Sequence, residues 1–116
     1  MPKVLIADDS TFMRTLLADI LNKNGFSDIV EASDGEKAVQ LYDAEKPDLV
    51  LLDVIMPQMD GLAVLSNIAA KGAKVIIISA VGQESMIDRA MKSGARGYIV
   101  KPFDESQVVE EVKKFI

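Results

Sequence analysis

The chain has 116 residues, 49% of them hydrophobic, and a formal charge of −5, which suits one domain spanning 1–116 with a real core. Cysteine and histidine are both absent, excluding disulfides, Fe–S clusters, thiol chemistry and the commonest zinc ligand and general base. The negative field, with no Lys/Arg-rich run, argues against binding nucleic acid, so any chemistry must rest on carboxylates, hydroxyls and amines.

The start, MPKVLIADDS, lacks the apolar segment of a signal peptide, and no apolar run approaches the roughly 18 residues of a membrane span. A soluble cytoplasmic protein without membrane insertion is expected. Lys3 to Asp8 reads as a strand, and Met13, Leu16, Leu17, Ile20 and Leu21 then recur at helical spacing. Ser10 or Thr11 would cap that helix, and Gly25 marks its end. Asp28 to Ser33 is a more polar strand, and Asp34-Gly35 opens a helix with Ala38, Leu41 and Tyr42 inward, stopped by Pro47.

Leu49 to Leu52 reads as a strand buried on both faces, ending at Asp53 and a loop bounded by Pro57 and Gly61. A helix follows from about Gly61 to Ala70, with Leu62, Leu65, Ile68 and Ala69 as its apolar positions. Lys74 to Ser79 is a fourth strand and about Gln83 to Lys92 a fourth helix, with Met86, Ile87, Ala90 and Met91 apolar. Gly97 to Val100 and Glu105 to Phe115 complete the chain as strand and helix.

Five strand–helix units in alternation predict an α/β fold, a doubly wound five-stranded parallel sheet with five helices. The first, third and fourth strands are the most continuously apolar and therefore central, and right-handed crossovers then favour the order 2-1-3-4-5. Ligands of such sheets bind beyond the carboxyl ends of the strands, where the winding reverses. Asp8, Asp9, Asp53, Ser79 and Lys101 stand at those ends.

Three close carboxylates repel one another, and a divalent ion relieves the repulsion. All-oxygen ligation favours Mg²⁺, with Mn²⁺ as a substitute, over zinc. Lys101 would add a positive charge for a phosphoryl group, Ser79 a donor, and Asp53 the nucleophile that yields an acyl phosphate.

These residues carry a resemblance. Asp8-Asp9, Asp53 within LLDVIMPQMDG, Ser79-Ala80 and Lys101-Pro102-Phe103 resemble the receiver domain of two-component response regulators, over essentially the whole chain. ADDSTFMR and SAVGQESMIDRAMKSGARGYIVKPF further resemble the stand-alone chemotaxis regulators, so the fold implied is flavodoxin-like, or CheY-like. The resemblance implies phosphorylation of Asp53 from a phosphohistidine on a CheA-like histidine kinase. Asp9, Asp53 and the Ile55 backbone carbonyl would bind Mg²⁺, with Asp8 helping through water. Lys101 and Ser79 would contact the phosphoryl group, and Tyr98 would follow Ser79 from an exposed to a buried rotamer. That would remodel the face of the fourth helix, fifth strand and fifth helix for an output protein, a flagellar switch component or an archaeal adaptor. It also implies a monomer, a cis Lys101-Pro102 bond, and a signal lifetime set partly by Ile55 and Val81, which are apolar where other members carry polar groups.

Plainer readings stand beside these. Asp9 could cap the first helix, Tyr98 could be half-buried packing, and Met13, Met86 and Met91 sit at core spacing. Arg89, Lys92 and Arg96 fit a partner surface or a solvated face equally well. Three other functions compete: a fragment of a longer regulator with a DNA-binding or enzymatic output, an aspartate-nucleophile phosphatase, and a flavin carrier. The phosphatase would need an acid where Ile55 stands, and Asp8-Asp9 would repel a flavin phosphate.

Overall fold

The computed structural model describes residues 2–56 and 59–116, with Met59 described by its backbone alone; Pro57, expected to bound the loop after Asp53, lies outside the described residues. The strands of the main sheet are β1 (Lys3–Ala7), β2 (Asp28–Ala32), β3 (Leu49–Leu52), β4 (Val75–Ser79) and β5 (Gly97–Val100). The helices are α1 (Thr11–Lys23), α2 (Gly35–Glu45), α3 (Gly61–Ala69), α4 (Glu84–Lys92) and α5 (Glu105–Phe115). The sheet is parallel throughout, in the order β2-β1-β3-β4-β5.

The two-residue period of the strands divides the core in two. Val4 and Ile6 of β1, Leu49 and Leu51 of β3, and Ile76 and Ile78 of β4 meet Leu17, Ile20 and Leu21 of α1 and Val108 and Val112 of α5. Their alternates, Leu5, Val50, Leu52, Val75 and Ile77, meet Ala38 of α2, Val64, Leu65 and Ile68 of α3, and Ala90 of α4. Each fully buried Leu or Ile contributes about 1.5–3 kcal/mol relative to exposure, so the central strands form the rigid part of the fold.

Helix starts follow side-chain capping. Ser10, Asp34, Asp60 and Asp104 each accept a backbone N–H of the first turn, and Asp104 forms a capping box with Gln107. Ser10 is therefore the α1 cap, neither Thr11 nor Asp9. Two expectations change. Met91 is 43% exposed, because Ala90 alone of the α4 positions is fully buried and the helix leans on the sheet through that small side chain. In α3 Val64 joins the expected Leu65 and Ile68 as fully buried, while Leu62 and Ala69 are only partly buried. A short antiparallel ladder, Ile55–Met56 against Met59–Asp60, shapes the loop after β3 and was not legible as a strand pair.

Candidate functional site

The last rungs of the sheet hold the site. Asp8 N–H donates to the Ala32 carbonyl at 3.1 Å, Asp53 N–H to the Ala7 carbonyl at 2.9 Å, and Lys101 N–H to the Ser79 carbonyl at 2.8 Å. Asp8, Asp53 and Lys101 each stand one residue past a strand, so the backbone of each is fixed by a neighbouring strand while its side chain points beyond the sheet. Of the five residues expected to converge, Asp8, Asp9, Asp53 and Lys101 come together, whereas the Ser79 side chain bonds Val81 N–H instead of the acid cluster.

One carboxylate oxygen from each of Asp8, Asp9 and Asp53 lies within 4.8 Å of the others. Asp8 and Asp53 are buried and Asp9 is exposed, so the cluster opens to water on one side. Lys101 Nζ donates to Asp8 Oδ2 at 2.9 Å and to Asp53 Oδ2 at 3.0 Å. Ser10 N–H donates to Asp8 Oδ1 and Ile55 N–H to Asp53 Oδ1, both at 2.9 Å, so each buried carboxylate is held at both oxygens.

Burial pushes the Asp53 carboxyl up from its ordinary value; the Ile55 N–H and Lys101 pull it down and the Asp8 charge pushes it up again, leaving it raised. Burial works to lower Lys101, but its hydrogen bonds to Asp8 and Asp53 and their charges outweigh it, and its ammonium is held above the usual value. The site thus keeps a cation between two acids while one of those acids remains under-compensated. Oxygen donors, an exposed edge and surplus negative charge suit a hard divalent cation that retains some of its waters. Asp8, Asp9, Asp53 and the Ile55 carbonyl could hold it; Ile55 adjoins Asp53 through its N–H bond.

Ser79 ends β4 fully buried, and its Oγ accepts the Val81 N–H at 3.2 Å. The Val81 carbonyl accepts the Tyr98 hydroxyl. Ser79 and Tyr98, on neighbouring strands, are thus joined through one residue, and the Tyr98 ring is half-buried against the core. Lys101-Pro102 is cis, as expected. Ile55 is 57% exposed at the mouth of the site.

Gly61, the first residue of α3, shows why the loop needs a glycine. A Cβ there would lie 2.1 Å from the Val54 carbonyl oxygen and 2.2 Å from Val54 Cα, backbone that cannot move aside. The α3 start is thereby packed on the residue that follows Asp53.

Sequence reasoning missed three features of the site. It gave Lys101 a phosphoryl role without its bridge to Asp8 and Asp53. It considered Val81 for its side chain, whereas the Val81 backbone links Ser79 to Tyr98. It also passed over Arg14, whose guanidinium donates to the Asp8 carbonyl; the signal was an arginine one turn into the helix after an acid pair.

The family described as response regulator receiver domain matches residues 4–113. A chemotaxis protein CheY of Listeria monocytogenes is 48% identical over 116 residues, covering 98% of each chain. The transcriptional regulatory protein PdtaR of Mycobacterium tuberculosis is 40% identical over 112 residues, covering 96% of this chain and 55% of that protein. Among solved structures, the crystal structure of a CheX-CheY-BeF3-Mg complex from Borrelia burgdorferi superposes with a TM-score of 0.92 at 43% identity, covering 97% of this chain and 87% of that one. With its sheet order, its acid cluster and these matches, the chain belongs to the response regulator receiver domain family.

Proposed function

We propose that the chain is a phosphorylation-controlled switch that takes a phosphoryl group onto Asp53 from a phosphohistidine of a CheA-like histidine kinase. The observation carrying this reading is the cluster of Asp8, Asp9 and Asp53 with Lys101 set between two of its members. A carboxylate oxygen of Asp53 attacks phosphorus, the P–N bond breaks as the P–O bond forms, and the leaving imidazole keeps the electron pair and takes a proton. Asp9, Asp53 and the Ile55 carbonyl would hold Mg²⁺, with Asp8 helping through water, and the ion would supply neutralisation of charge on the phosphoryl oxygens. Lys101 turns from its carboxylates toward the phosphoryl group, and Ser79 Oγ leaves Val81 N–H to donate to it. Ile55 stands where a phosphatase of the aspartate-nucleophile class would need a second acid, which favours a switch over turnover of free phosphoesters.

Output passes through Ser79, Val81 and Tyr98 to the face made by α4, β5 and α5. Met91 and Val100 are exposed there, and Tyr98, Val100, Gln107 and Glu110 line a groove of about 510 Å³. Similarity to a chemotaxis protein, 48% identical over 116 residues, supports a role in chemotaxis or motility, with a flagellar switch component or an archaeal adaptor as output partner. A cytoplasmic monomer fits this role, and among the described residues no helix is long and apolar enough to cross a membrane. Titration with beryllofluoride and Mg²⁺ tests the switch: amide resonances of Ser79, Val81 and Tyr98 should shift together. A response confined to the acid cluster would contradict it.

A further inference from the structure

Asp9 is the exposed acid of the cluster, and its carboxylate has no hydrogen-bond or ion-pair partner among the described residues. Only its backbone anchors it, so the point from which its side chain projects is set by the Asp8–Asp9 peptide. The carbonyl of that peptide accepts Arg14 Nη1 at 2.7 Å. Arg14 is itself fixed at two further points: Nε donates to Glu31 Oε1 at 3.0 Å and Nη2 to Thr11 Oγ1 at 3.2 Å. A guanidinium is planar, so fixing Nε and Nη2 fixes where Nη1 points. The Arg14 side chain is only 14% exposed, whereas Glu31, on the edge strand β2, is 45% exposed.

We propose that Arg14 is a positioning residue for the metal site, clamping the peptide from which Asp9 projects so that the three carboxylates meet one divalent cation. This rests on the Mg²⁺ reading above. Mg²⁺ demands near-octahedral geometry and dehydrates reluctantly, so a displaced ligand costs affinity steeply. Groups that orient metal ligands typically contribute 10–100-fold in affinity. The sign of the effect separates positioning from charge: a cation near an acid cluster repels Mg²⁺, so its removal would by Coulomb's law alone tighten binding. The clamp requires the reverse.

The experiment is calorimetric titration of the full chain with MgCl₂ for wild type, Arg14→Gln, Arg14→Lys and Glu31→Gln. Arg14→Gln is expected to weaken Mg²⁺ binding about 10-fold. Arg14→Lys keeps the charge without the fork and should also weaken it, while Glu31→Gln keeps an acceptor for Nε and should stay within about twofold of wild type. Binding by Arg14→Gln equal to or tighter than wild type overturns the proposal; should that variant fail to fold, unchanged binding by Arg14→Lys does so. A wild-type chain that binds no Mg²⁺ overturns the metal reading itself, a distinct outcome.

Discussion

Lys101 Nζ lies 3.0 Å from Asp53 Oδ2, so the proposed phosphoacceptor is already ion-paired within the protein. The same ammonium reaches Asp8, and its side chain is only 17% exposed. Lys101→Met would leave Asp8 and Asp53 buried without a cation and should destabilise the metal-free protein by about 3 kcal/mol in urea unfolding. Saturating Mg²⁺ should restore most of the loss. Equal stability of the variant and wild type without Mg²⁺ would show that the lysine does not hold the acids.

Asp53 makes a pH prediction whose sign is fixed by its raised pKa. Above 3.8, the ordinary value, the folded protein retains the Asp53 proton longer than the unfolded chain does. Its contribution is fully present below 3.8 and is lost as pH rises through the raised folded value. Asp53→Asn should therefore be more stable than wild type at neutral pH without Mg²⁺, with the advantage shrinking toward acid. Saturating Mg²⁺ should narrow or reverse the difference, because only wild type retains the full ligand set. A variant less stable than wild type at neutral pH in chelator would contradict this.

Gly61→Ala tests the packing beneath the loop. The added methyl meets Val54 backbone, so either α3 or the segment after Asp53 must move. A loss of about 3 kcal/mol is expected, with slower phosphorylation of whatever protein remains folded. A fully stable, fully active Gly61→Ala would mean that the close approach to Val54 is unimportant.

Tyr98→Phe removes the donor to the Val81 carbonyl while leaving the ring in place. Stability should fall by about 1 kcal/mol. Phosphorylation of Asp53 should continue, whereas the gain in partner affinity on phosphorylation should shrink. An undiminished gain, measured by titrating an output partner with beryllofluoride present, would remove Tyr98 from the switch.

Much of this was legible in the sequence because its causes are local. The four apolar residues Leu49–Leu52, the β5 segment Gly97–Val100 and the α5 segment Glu105–Phe115 match their expected bounds, since burial periodicity and capping act over neighbouring residues. The candidate site was legible as a set, because strand ends share one edge of a parallel sheet. The Lys101 bridge to Asp8 spans 93 residues and depends on where that edge closes in space. Arg14 escaped notice because two of its three partners are a backbone carbonyl and an exposed glutamate on β2, groups with no sequence signature. Met91 was misplaced because α4 docks through Ala90, and a small contact residue leaves larger neighbours outside.

The most direct test of the central claim is to incubate the full chain with acetyl phosphate and Mg²⁺ and follow intact mass. The account predicts one phosphoryl group per chain, labile to base and hydroxylamine as an acyl phosphate must be, dependent on Mg²⁺ and lost in Asp53→Asn. Labelling that persists in Asp53→Asn would contradict the assignment of Asp53 as phosphoacceptor.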